Sequence, residues 1–66
     1  MEQDDFFERK YKQIKREIKT LDVVSISTIQ RKFSVGYVNA NRAIQRLLVN
    51  DLIKPMPEDY KYKVIK

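Results

Sequence analysis

The stretch from Tyr37 to Asn50 constrains this chain more than any other. At ~100° per residue, Tyr37, Ala40, Ala43, Ile44, Leu47 and Leu48 share one half of a helical cylinder. Val38, Arg42, Gln45 and Val49 lie opposite, flanked by Asn39, Asn41 and Arg46. One half is apolar, and the other is almost wholly polar without a single acid. Such a helix must bury its apolar half against neighbours. With 66 residues in all, those neighbours come from short segments on either side. A chain this small buries only about 60% of the surface that its unfolded form exposes.

Upstream, Phe7, Tyr11, Ile14, Ile18 and Leu21 recur at helical spacing, which predicts a first helix over residues 4–20. Asp4 or Asp5 is the expected cap at its start, and Lys15, Arg16 and Lys19 suit the negative end of its dipole. Its outer face carries Arg9, Lys10, Lys12 and Lys15 among Glu8 and Glu17, and reads as a solvated surface. Asp22-Val23-Val24-Ser25-Ile26 is rich in β-branched residues and has no helical period, which predicts a brief strand. Ser27-Thr28-Ile29-Gln30 has the form of a capping box. A second helix is therefore expected from Thr28 to Phe33 or Ser34, with Ile29 and Phe33 inward and Arg31 and Lys32 outward.

Gly36 is the single glycine. It falls between two helical patterns, where a tight turn favours a residue without Cβ. Ile29, Phe33, Val35, Ala40 and Ala43 are the expected seam between the two helices, the alanines allowing close approach. Beyond Asp51, Leu52-Ile53-Lys54 and the run from Tyr60 to Lys66 read as two strands around Pro55-Met56-Pro57-Glu58-Asp59. Tyr60, Tyr62 and Val64 would share one side, Lys61 and Lys63 the other. The order helix, strand, helix, turn, helix, hairpin predicts a mainly α winged helix-turn-helix. It has three helices and a two- or three-stranded wing in a single domain over residues 1–66, with the helix-turn-helix at 27–50 and the wing at 52–66.

The net charge is +5, and its distribution is more informative than its size. No Asp or Glu occurs from Val23 to Asn50, where Arg31, Lys32, Arg42 and Arg46 all fall. The acids gather toward the ends, at Glu2, Asp4, Asp5 and Glu8 and again at Glu58 and Asp59. A central stretch of one sign suits a polyanion such as nucleic acid, the plain alternative being a solvated basic surface. The chain has no cysteine and no histidine, which excludes disulfides and thiolate metal sites and removes the commonest general base. One glycine cannot supply a Gly-x-x-x-x-Gly-Lys-Ser/Thr nucleotide loop. Asp4 with Glu8 is the best carboxylate pair, and its place at a helix start reads as dipole compensation. No enzyme, cofactor or metal site is expected. No apolar run approaches the ~20 residues that span a bilayer, and the acidic start is unlike a signal peptide. A cytoplasmic, nucleoid-associated protein without membrane contact is the expectation.

Helix-turn-helix proteins project the polar N-terminal half of the second helix into the major groove. There Asn and Gln pair with adenine, Arg pairs with guanine, and an apolar side chain meets a thymine methyl. The candidate base readers are therefore Val38, Asn39, Asn41, Arg42, Gln45 and Arg46, with Asn39 and Arg42 foremost because they lie in the first turns. Arg31, Lys32, Lys61 and Lys63 are placed for phosphates. So are Ser27 and Thr28, with free N–H groups at a helix start.

The run Val24-Ser25-Ile26-Ser27-Thr28-Ile29-Gln30-Arg31-Lys32-Phe33-Ser34-Val35-Gly36-Tyr37 resembles the gamma domain of FtsK/SpoIIIE-type DNA translocases. Members of that family typically read Ser-Ile-Ser, two residues, Gln-Arg, one residue, Phe, then Ile-Gly-Tyr. Ala40, Arg42 and Leu47 continue the likeness, and Asp51-Leu52-Ile53-Lys54-Pro55 resembles the family's Gly-Ile-Val-x-Pro. The likeness spans about Val24 to Pro55; helix one matches only loosely and reads about one turn longer. It implies a winged helix that reads a short G-rich DNA sequence, orients a hexameric DNA pump during chromosome segregation, and contacts a site-specific recombinase. Val38-Asn39 departs from the family's Asn-Arg, which contributes to base recognition, whereas Arg42 carries over.

Double-stranded DNA is thus the expected partner, bound by several copies side by side or through tethering. Two other uses of the same fold stand beside this one: a small phage or mobile-element transcriptional regulator, and a protein-binding adaptor for which Val38 and Val49 would be the apolar patch. The start at Met1 and the close after the last strand fit a free-standing protein as well as the end of a translocase.

Overall fold

The computed structural model describes residues 2–58 and 60–65, with side chains from residue 5 onward. In chain order it contains α1 (Glu2–Glu17), a 3-10 turn (Ile18–Thr20), β1 (Val23–Val24), α2 (Ile26–Phe33), α3 (Tyr37–Val49), β2 (Ile53–Pro55) and β3 (Tyr62–Val64). Three helices and a three-stranded antiparallel sheet make the expected winged helix. The sheet order is β1-β3-β2, so the first strand joins the hairpin as its third member. Val24 lies opposite Tyr62, and Ile53 opposite Val64. Pro55 sits in an edge strand, where its missing N–H leaves no ladder bond broken.

The apolar face of α1 is buried as its spacing requires: Phe7, Tyr11, Ile14 and Ile18 are almost wholly covered. Two details of α1 differ from expectation. It already includes Glu2, so Asp4 and Asp5 lie within the helix rather than at its cap; the Asp4 side chain lies outside the described residues. The α-helical part ends at Glu17, and the last turn tightens. Thr20 Oγ1 donates to the Glu17 carbonyl at 2.8 Å, and Leu21 N–H to that of Ile18 at 2.8 Å. A hydroxyl that competes for a helical carbonyl favours this change of pitch.

The second helix starts two residues earlier than its capping pattern suggests. Ser25, not Ser27, is the cap: its Oγ accepts from Thr28 N–H at 3.2 Å. Packing decides between the two serines. Starting at Ser25 brings Ile26 onto the same face as Ile29 and Phe33, where it packs on the core. The same choice shortens β1 to Val23 and Val24. At the far end of α2, Lys10 Nζ on α1 donates to the Phe33 carbonyl at 3.0 Å. A lysine expected in solvent thus satisfies one of the carbonyls that a helix end leaves open.

Gly36 is not the conformationally demanding residue of the turn. Its φ is −75°, it caps α3, and a Cβ built there would meet nothing within 4 Å. The left-handed position is Ser34, at φ 55° and ψ 47°. Two more non-glycine residues are left-handed, Asp51 at φ 58° and Tyr60 at φ 64°. Asp51 ends α3: its N–H donates to the Leu48 carbonyl at 3.0 Å and that of Leu52 to the Leu47 carbonyl at 2.9 Å. This is the Schellman pattern that normally takes glycine.

α3 follows its predicted bounds to within one residue. Ala40, Ala43, Ile44 and Leu47 have no exposed surface, and the helix packs on α1, α2 and β2. Tyr37 shares the angular position of this apolar half but is 61% exposed: as the first residue of α3 it lies ahead of the buried stripe that begins at Ala40. Tyr60 likewise does not share the side of Tyr62 and Val64; it lies at the left-handed bend before β3 and is 83% exposed.

Ser25→Ala should lower unfolding stability by about 1 kcal/mol, whereas Ser27→Ala should stay within about 0.5 kcal/mol of the parent. Urea denaturation checks both, and equal losses would reinstate the later cap. By the same method Asp51→Gly should add about 0.5–1 kcal/mol, because glycine enters the left-handed region without a Cβ penalty. A loss there would mean that the Asp51 side chain stabilises the end of α3.

Candidate nucleic-acid interface

Because α3 is held by the stripe Ala40, Ala43, Ile44 and Leu47, its opposite face is turned outward. Val38 is 70% exposed and Val49 79%, and Arg42 and Gln45 lie exposed on the same line. Asn39, Asn41 and Arg46 flank that line and are half-buried. The face extends from the helix start, where Gly36 supplies a cap without a side chain. No acidic residue lies on α3.

The two arginines are organised by α1. Phe7 and Tyr11 stack with ring centroids 6.1 Å apart. The Arg42 guanidinium lies over Phe7 at 4.1 Å, and that of Arg46 lies 5.0 Å from Phe7 and 5.1 Å from Tyr11. Cation–π contacts of this kind at exposed sites are worth about 0.5–1 kcal/mol each. Arg46 Nη1 also pairs with Glu8 Oε2 at 2.6 Å. At the end of α3, Asn50 Nδ2 donates to the Tyr11 hydroxyl at 2.8 Å. The aromatic pair on α1 therefore holds the arginines on one side of α3.

On the side toward the wing lies a cleft of about 330 Å³, lined by Ser25, Ile26, Ser27, Gln30, Tyr37, Tyr60 and Lys61. It joins the first turns of α2 and α3 to the bend before β3. Three of the residues expected at phosphates are distributed differently with respect to it. Ser27 and Lys61 line the cleft, whereas Lys63 lines a separate hollow with Asp22, Lys54, Val64 and Ile65. Thr28 does not offer the free N–H expected of it: that group donates to Ser25 Oγ, and the two hydroxyls are 3.1 Å apart. Arg31 and Lys32 are exposed in the last turn of α2.

Sequence reasoning missed three contributors. Tyr37 sits at the edge of the apolar half of α3 and was placed in the core on that ground. Tyr60 alternates with Tyr62 and Val64 and was placed with them. Glu8 lies 38 residues from Arg46 and reads as part of the solvated face of the first helix, so no local signal pointed to the pairing. Among the described residues no helix is long and apolar enough to cross a membrane.

No curated protein and no solved structure matches the chain. A family model does: the FtsK gamma domain, over residues 2–65. The match takes in α1 as well as the helix-turn-helix and the sheet, a wider span than the likeness legible around Val24–Pro55. With the winged helix in place, a match over nearly the whole chain shows that it belongs to the FtsK gamma domain family, the DNA-binding domain associated with a class of DNA translocases.

Proposed function

We propose that this chain reads double-stranded DNA in a sequence-dependent way, by laying the N-terminal half of α3 in the major groove. The observation that carries the reading is the acid-free exposed face of α3, with an aromatic and basic cleft beside it. Arg42 presents a fork suited to guanine, Asn39, Asn41 and Gln45 suit adenine, and Val38 suits a thymine methyl. Arg46 is tied to Glu8 at 2.6 Å, so its charge is already met within the protein.

Backbone phosphates are then held beside the helix. Ser27, Lys61 and the hydroxyls of Tyr37 and Tyr60 serve one strand at the cleft, while Arg31, Lys32, Thr28 and Lys63 lie at the margins of the footprint. Contacts of this class set register and orientation rather than sequence preference. A single module of this size covers about 600–1,000 Å² of its own surface on DNA. Useful affinity therefore calls for several copies side by side or for tethering to a larger assembly.

The family supports a role in orienting a DNA translocase during chromosome segregation, with a site-specific recombinase as a further partner. Val38-Asn39, in place of the family's Asn-Arg, favours a target sequence that differs from the family's usual one. The test is fluorescence anisotropy against a G-rich duplex of the translocase-orienting kind and a scrambled duplex, over a range of salt. A preference for the G-rich duplex that survives moderate salt would show that Arg42 carries the family's target over despite that change. Equal, steeply salt-dependent binding to both would point to another target, and no binding to any duplex would favour a protein-binding adaptor.

Two substitution experiments follow. Arg42→Ala should weaken specific binding by about 1–3 kcal/mol and relax preference at one base pair; an equal loss on every duplex would make Arg42 a phosphate contact. Tyr37→Ala and Tyr60→Ala should each leave stability within about 0.5 kcal/mol, because both rings are exposed, while weakening binding to all duplexes alike. Unchanged affinity in both variants would remove the cleft from the interface.

A further inference from the structure

The contact between Glu8 and Arg46 joins the first helix to the third turn of α3. Glu8 Oε2 stands 2.6 Å from Arg46 Nη1, and the two side chains are 48% and 37% exposed. A pair this exposed adds little to stability, since water screens it and two long side chains lose freedom to make it. Its electrostatic effect on a polyanion is larger. α3 carries two cations, Arg42 and Arg46, one turn apart. DNA presents a negative charge every ~1.7 Å along its axis. A carboxylate at the border of the recognition face repels that charge and offsets the charge of Arg46. The aromatic pair adds restraint, because the Arg46 guanidinium lies over the Phe7 and Tyr11 rings at 5.0 and 5.1 Å.

We infer that Glu8 is a specificity-determining residue: by holding Arg46 against α1, it withholds that charge from the phosphate backbone and makes binding depend more on base contacts. The inference rests on the DNA-binding reading above. A free Arg46 would add one phosphate contact of the same strength on every sequence. Target and non-target duplexes would gain alike, and weak general binding would compete for the protein. Glu8 thereby acts against the wrong partner without touching the right one, as repulsive elements in selective interfaces do.

The test compares the parent chain, Glu8→Gln, Arg46→Gln and the double variant, titrated onto the G-rich and the scrambled duplex at several salt concentrations. Glu8→Gln keeps the size of the side chain and removes its charge. It should tighten binding to the scrambled duplex by about three- to eightfold near 0.1 M salt and steepen the slope of log K against log salt by about 0.9, the signature of one more phosphate contact. In the Arg46→Gln background the same change should give only a small gain from the lost repulsion and no steepening of the slope, because the freed arginine is what supplies the extra contact. An unchanged salt slope in Glu8→Gln, or weaker binding, would overturn the inference while leaving DNA binding intact. An equal gain with and without Arg46 would overturn it too, by assigning the effect to net charge alone. If the parent chain bound neither these duplexes nor any other DNA, the DNA-binding reading would fall and this inference with it.

Discussion

The complete burial of Ala40, Ala43, Ile44 and Leu47 is the constraint on which the rest of the structure depends. These four residues tie α3 to α1, α2 and β2 at once, and two of them are alanines, so the neighbouring backbones come close. Side chains of this kind lock the rotation of a helix about its own axis, because turning it would expose apolar surface worth about 25 cal/mol per Å². Among the described residues no polar or charged side chain is buried. Rotation is therefore set by packing alone. The polar face is outward because its opposite is not free to be.

α1 plays a larger part than a supporting helix usually does. Its inward face completes the core with Phe7, Ile14 and Ile18, while the residues beside that face reach the other helices. Lys10 closes the end of α2 through the Phe33 carbonyl, Tyr11 accepts from Asn50, and Glu8 meets Arg46. One helix thus fixes the ends of both members of the helix-turn-helix. That is a physical reason for the family match to begin at residue 2 and not at the first residue of the motif.

What could be read in the sequence divides along a clear line. Periodicity located α1, α2 and α3, the hairpin and nearly all of the core, because an apolar stripe at helical or strand spacing has few other uses. The outward line of Val38, Arg42, Gln45 and Val49 was legible for the same reason. Choices between two chemically similar options were not. Ser25 and Ser27 both suit a helix start, and the partial burial of Ile26 on the core decides between them. Gly36 invites a turn, yet the left-handed residue is Ser34. Tyr37 has the angular position of a core residue but stands one turn too early to be covered. Juxtapositions of segments far apart in sequence, Glu8 paired with Arg46 and Tyr37 lining one cleft with Lys61, left no trace in local pattern.

Among the described residues, those that are left-handed fall at three separate junctions: Ser34 between α2 and α3, Asp51 between α3 and the sheet, and Tyr60 at the far bend of the hairpin. A glycine at such a place can wander over the whole positive-φ half of φ/ψ space, whereas a residue with a side chain has only one small well there. The junction after α3 is therefore stiff, and the turn before it, which also holds Gly36, is pinned by Ser34 and by the buried Val35. A stiff reader does not adjust its helix to the groove it meets. It shifts the burden of fit to the duplex, so that groove width and the ease of bending a given base step enter the discrimination. Selectivity in a domain of this size then draws on the mechanics of DNA as well as on the edges of its bases.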